Sequence, residues 1–139
     1  MLTPWHITGF CDAAAAFTYS RAGGTFALYF AIKQKEENRE ILEAIREYFG
    51  HIGKIYNQKL SLTYRITKIE ELRRILGHFD KYPPQIKKKD EAYRIWRDMV
   101  RHKLENYRDV DYNKLRILAE RLSSLNAKGQ ALKTRKNNG

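Results

Sequence analysis

The chain has 139 residues, with 27 Lys and Arg against 16 Asp and Glu, a formal net charge of +11 and a pI near 9.8. That length makes one domain with room for a real core, and that charge points to a polyanionic partner, most simply nucleic acid, or to a merely basic protein of ribosomal type. Cys11 is the only cysteine, which excludes an intramolecular disulfide and a cysteine-based zinc site; no apolar run approaches the ~20 residues that cross a bilayer, so an intracellular or organelle-matrix protein is expected.

The first predicted element opens at Thr3, a good N-cap, followed by Pro4 with its φ already set for a helix. Gly9 interrupts that helix at a cost of roughly 1 kcal/mol against alanine, which suggests close approach of a second helix. Residues 17–22 and 25–33 read as strands joined by Gly23-Gly24, a hairpin signal, and in the second strand Phe26, Leu28, Phe30 and Ile32 alternate with smaller or polar residues. An amphipathic helix is predicted over 36–49, with Ile41, Leu42, Ile45, Tyr48 and Phe49 inward and mostly acidic charges outward. A second hairpin follows over 52–58 and 60–66, and Thr67-Lys68-Ile69-Glu70 reads as a capping box opening a helix to about Phe79. Pro83-Pro84 breaks the chain before a lysine cluster at Lys87, Lys88 and Lys89. A helix resumes from Asp90 with Tyr93, Trp96, Met99 and Val100 at helical spacing, and another spans 112–125. One domain over residues 1–126 is expected, with a basic, flexible tail over 127–139. The predicted class is α+β: two hairpins in one four-stranded antiparallel sheet, helices on one face, the other face bare, and extra C-terminal helices.

The bare face is a candidate DNA surface. Its outward residues would be Thr18, Ser20, Thr25, Tyr29 and Lys33 from the first hairpin, and Lys54, Tyr56, Gln58, Ser61, Thr63 and Arg65 from the second. A twisted antiparallel ribbon fits the major groove, where such side chains read base edges. The bland alternative is an ordinary solvated sheet face. His6, His51, His78 and His102 show no metal-ligand spacing.

Ile7-Thr8-Gly9-Phe10-Cys11-Asp12-Ala13-Ala14-Ala15 resembles the nine-residue signature of the LAGLIDADG homing endonucleases, and helix–hairpin–helix–hairpin–helix is that family's order of elements. The resemblance covers roughly Thr3 to Val100. It implies a site-specific endonuclease of intron- or intein-homing type that hydrolyses both strands of double-stranded DNA with Mg²⁺ or another divalent cation. A chain with one signature helix implies a homodimer on a long, roughly palindromic site, packed through Thr8 and Gly9. By the same resemblance Asp12 matches the first of two acids at the end of the signature helix, and the Ala13 carbonyl is a metal contact. Lys88 best matches the cation that the family aims at the scissile phosphate, with Lys87 its nearest rival; Gln34 falls where the family positions water or metal, and Lys87 and Lys89 are expected to lie on DNA.

The chain departs from that pattern at one decisive place. The second acid, whose carboxylate binds the metal, falls on Ala14, and Ala15 stands where glycine is usual. Alanine offers no side-chain oxygen, so a hard cation would have only backbone, phosphate and water oxygens, with Asp12. Ala14 therefore reads either as a substitution that traps uncut DNA or as the mark of a natural non-cleaving member, maturase-like in splicing. Asp12 can equally serve as a hydrogen-bonding cap.

Overall fold

Period-two alternation along four short segments builds the sheet. In the computed structural model, which describes residues 2–138 (side chains through residue 126, Ala22 excepted), β1 (Ala15–Ala22), β2 (Thr25–Lys35), β3 (Lys54–Gln58) and β4 (Ser61–Ile66) are antiparallel in the order β1-β2-β4-β3. The expected hairpins thus join along a β2–β4 seam. Gly23 and Gly24 take φ of +55° and +82°, the pair of left-handed residues that a tight two-residue hairpin demands. Phe30 lies opposite Phe17 on one side and Ile66 on the other, and Ile32 lies opposite Ala15 and Tyr64. All of these are buried, which fixes the register: a one-residue slip would turn the row to solvent.

Four helices cover that row: α1 (Pro4–Ala14), α2 (Arg39–Tyr48), α3 (Ile69–Lys81) and α4 (Lys87–Glu105); α5 (Tyr112–Asn138) packs on α4. Phe17 is the hub of the core, with the rings of Phe30, Phe79, Tyr93 and Trp96 centred 5.1 to 5.5 Å away. The polar atoms of two fully buried rings are satisfied: Trp96 Nε1 donates to the Thr18 carbonyl at 3.0 Å, and the Tyr64 hydroxyl donates to the Ile52 carbonyl at 2.8 Å. No helix among the described residues is long and apolar enough to cross a membrane.

Several helix starts differ in detail from expectation. The capping box forms at the first helix, where the Thr3 hydroxyl accepts from the His6 amide and His6 Nδ1 accepts from the Thr3 amide. At α3 the N-cap is Lys68 with no side-chain cap, because Glu70 instead pairs with Arg73 at 2.8 Å. The acidic segment begins with a 3-10 turn, Glu36–Asn38, before α2. Most consequentially, α4 begins at Lys87, so the lysine cluster forms its first turn instead of preceding it. The expectation of a basic, flexible tail over 127–139 falls outside the residues whose side chains are described.

Because Phe17 joins β1 to β2, α3 and α4, Phe17→Ala is expected to cost about 3–5 kcal/mol. Urea denaturation followed by circular dichroism measures it.

Candidate nucleic-acid interface

The sheet face opposite the helices carries the expected row. Cross-strand pairing sets Thr18 beside Tyr29, Ser20 beside Ala27 and Thr25 beside Ala22 on the first hairpin. It sets Lys54 beside Arg65, Tyr56 beside Thr63 and Gln58 beside Ser61 on the second, and the seam joins Ala31 to Arg65 and Lys33 to Thr63. Ser20, Lys33, Lys54, Tyr56 and Gln58 are exposed, while Thr18, Thr25, Tyr29, Ser61 and Arg65 are half-buried. Thr63 departs from the expectation of an open contact: it is 7% exposed beneath its neighbours, its hydroxyl 3.5 Å from Gln58 Oε1. The strands contain Arg21, Lys33, Lys35, Lys54 and Arg65 and no Asp or Glu. Glu40, Glu43 and Glu47 are exposed on α2, in the opposite layer. The Arg65 guanidinium carbon lies over the Tyr29 ring, 4.4 Å from its centroid, which orders the guanidinium before any ligand arrives.

At one end of this face α1 meets the start of α4. Asp12 Oδ2 accepts from the Gln85 amide at 2.9 Å and Oδ1 from the Ile86 amide at 3.3 Å, so Asp12 caps the amino end of α4, where Ile86 is the N-cap. Three lysines in a first helical turn oppose the helix dipole, and Asp12 joins Asp90 in supplying negative charge at that end. In return Lys89 donates its ammonium to the carbonyl of Ala15, the C-cap of α1. The lysine that reaches the end of α1 is therefore Lys89, not Lys88; Lys87 and Lys88 are exposed on the same turn. Helical spacing explains the choice, since Lys89 lies four residues before Tyr93 and seven before Trp96, on the buried stripe of α4. Extending the predicted helix back to Lys87 would have picked it out.

Gln34 sits two residues past Ile32, the cross-strand partner of Ala15, and so lies beside the α1–β1 junction; its amide oxygen accepts from Asn38 Nδ2 at 3.0 Å. Cys11 is buried, and burial pushes its thiol up to about 12, which leaves it inert beside this site.

The oxygens at the end of α1 do not fit a divalent cation. Both Asp12 oxygens are engaged by backbone amides, Ala14 has no side-chain oxygen to offer, and the Ala15 carbonyl faces an ammonium, so no side-chain ligand is left beside the backbone carbonyls. Among the described residues no group of three His, Cys, Asp or Glu could hold a metal.

The expected contact surface of α1 divides in two. Thr8 is fully buried and points inward, where its hydroxyl donates to the Tyr82 carbonyl at 2.6 Å and lies 2.9 Å from His78 Nε2. Its only hydrogen is thereby used, so the oxygen must accept from His78 Nε2–H, leaving Nδ1 to accept from the Tyr48 hydroxyl at 2.9 Å. Gly9 lies on the opposite, open side with Trp5, His6 and Ala13, and a Cβ added there would meet nothing within 4 Å.

The model of the LAGLIDADG endonuclease family matches residues 7–100. The chain is 31% identical over 135 residues to "Probable intron-encoded endonuclease 2" of Neurospora crassa, a match covering 90% of this chain and 29% of that protein. It is 37% identical over 92 residues to an uncharacterized 50.9 kDa protein in ND4 intron 1 of Podospora anserina, covering 59% of this chain and 20% of that one. Among solved structures it is similar to the LAGLIDADG meganucleases I-AabMI and I-CpaMI, each bound to uncleaved DNA, at 28% identity. Their TM-scores are 0.75 and 0.73, over 89% and 83% of this chain and 43% and 41% of theirs. I-SmaMI, bound to an uncleaved DNA target in the presence of calcium ions, shares the fold at a TM-score of 0.79 and 23% identity, over 91% of this chain and 46% of its own. The chain thus spans under a third of these curated relatives and under half of these solved chains.

Burial lowers His78 from 6.5 to about 4, so the fold holds it neutral while the unfolded chain protonates first. Stability is expected to be full above pH 6.5 and to fall as pH drops toward 4, by about 1–3 kcal/mol from this group. Urea midpoints at pH 7.5, 6 and 5 should decline less steeply for His78→Gln than for the native chain.

Proposed function

The chain belongs to the LAGLIDADG endonuclease family, and from that premise we propose that it is a site-specific, double-stranded-DNA-binding unit of intron- or intein-homing type. In this reading it is built as half of an endonuclease that cuts both strands, and Ala14 impairs its own hydrolytic site. The observation that carries the proposal is the bare sheet face, free of acids and lined by Lys33, Lys54 and Arg65 in a chain whose carboxylates lie elsewhere. Phosphate neutralisation by lysines supplies affinity, and Arg65, Gln58, Tyr56 and the hydroxyl-bearing residues read base edges. Lys87 and Lys88 add backbone contacts beside the end of α1, with Gln34 as a positioning group.

Pairing follows from the open side of α1. Gly9 and Ala13 let a second backbone approach, and a second copy laid there sets two sheets side by side over a long, roughly palindromic duplex. Hydrolysis with Mg²⁺ or another divalent cation belongs to a chain with a carboxylate at position 14. The engagement of Asp12 with α4 also favours a second reading, a non-cleaving, maturase-like nucleic-acid binder in an intracellular or organelle compartment.

The test is selection of bound duplexes from a random-sequence pool with the full chain, followed by affinity measurements across salt. A defined site should emerge; Arg65→Ala should weaken it by about 10- to 100-fold and relax the preference at one position, whereas Lys54→Ala should lower the salt slope by about one. Absence of any duplex preference would sink the proposal. With Mg²⁺ the native chain should leave the selected duplex intact, while Ala14→Glu should nick or cut it; an uncut duplex with Ala14→Glu favours the non-cleaving reading. Gly9→Leu should shift sedimentation toward monomer without unfolding the chain.

A further inference from the structure

We infer that Lys89 is the built-in cation of the helix-end site, so that this chain holds a DNA phosphate there with its own ammonium and without a divalent ion. The inference rests on the DNA-binding reading above, and it starts from the mismatch between the site and a metal. A helix carboxyl end collects partial negative charge on its last carbonyls and draws a positive group. Here that group is part of the chain: Lys89 donates to the Ala15 carbonyl, the first carbonyl beyond α1. It is held in place from both sides. Tyr93 and Trp96, fully buried on the same stripe of α4, fix the helix face from which Lys89 extends. Asp12, bonded to the Gln85 and Ile86 amides, fixes the helix end.

Charge balance argues the same way. Without a carboxylate at position 14, a divalent ion drawn to the Ala15 carbonyl would meet a fixed ammonium there, with Asp12 already committed as the cap of α4. The dication would be opposed by one positive charge, and Asp12 would have to give up its bonds to α4 to meet it. An ammonium can serve several acceptors, so a phosphate oxygen arriving at the end of α1 finds a donor and a neutralising charge in one group. What the ammonium does not supply is a Lewis acid that makes hydroxide from water, so binding at this end is separated from hydrolysis.

The experiment uses the full chain and a duplex selected from a random-sequence pool, with dissociation constants measured at matched ionic strength in EDTA, Mg²⁺ and Ca²⁺. Affinity is expected to agree within about twofold in the three conditions. Lys89→Met should weaken binding by about 3- to 10-fold and lower the salt slope by about one, and Lys89→Arg should restore both. A merely structural lysine would not return the slope. Ala14→Glu should bind more tightly in Ca²⁺ than in EDTA, because it supplies the absent carboxylate. Native-chain binding that is tenfold tighter in Ca²⁺ than in EDTA would overturn the inference and leave the DNA reading standing. An unchanged slope in a folded Lys89→Met chain would do the same. No duplex binding in any condition would bring down both. Should Lys89→Met fail to fold, the comparison of EDTA with Ca²⁺ on the native chain decides alone.

Discussion

The junction of α1 with α4 is an exchange of opposite charges between two helix ends, and much of the molecule is arranged by it. Asp12 gives the lysine-rich start of α4 the anion its dipole needs, and Lys89 gives the end of α1 a cation. Each contact serves a terminus whose backbone groups lack helical partners, so neither is an ordinary surface ion pair. With its amino end pinned, α4 runs across the sheet with Trp96 against β1 and Tyr93 against α3. There the Tyr93 hydroxyl donates to Asp80 at 2.8 Å, and Arg101 reaches the same carboxylate at 2.7 Å. The α1 signature helix, the aromatic core and the candidate site therefore share one mechanical reference point.

The core lies on one side of the sheet, and that asymmetry makes a functional surface possible. Aromatic rings around Phe17 and the aliphatic rows of α2 and α3 satisfy one face, leaving the alternate residues of each strand unused by folding. Those residues are then available for chemistry, and they are basic, amidic or hydroxyl-bearing. Arg65 shows how far the surface is ordered in advance, since stacking on Tyr29 removes freedom that a ligand would otherwise have to take away.

Much of this was legible in the sequence, for physical reasons that differ by element. Strand alternation is local and has period two, so the two faces of every strand were assigned with the parity that the cross-strand register displays; Gly23-Gly24 fixed the first turn by sterics. The start of α4 was not legible, because three lysines at a helix amino end look unfavourable until Asp12, more than seventy residues away, joins Asp90 there and takes the Gln85 and Ile86 amides. With α4 starting at Lys87, Lys89 falls on its buried stripe and reaches the Ala15 carbonyl. Thr8 was placed on the contact surface by its position next to Gly9, yet its hydroxyl turns to His78 and Tyr82, partners that only the folded α3 supplies. Thr63 was assigned to the right face, but Tyr56 and Gln58 cover it. Position 14 was legible from residue type alone, as alanine has no side-chain oxygen to give.

The segregation of carboxylates from the strands has a kinetic consequence. With acid-free basic strands and the mostly acidic segment over residues 36–47 in the layer behind them, the molecule presents an uneven field, so a polyanion exerts a torque before contact. Random approaches are turned toward the productive orientation, and a molecule already resting on a duplex is discouraged from rolling over. The orientational penalty that slows most macromolecular encounters would thereby be reduced, and on the proposed duplex partner one-dimensional diffusion would proceed with the basic surface facing the grooves.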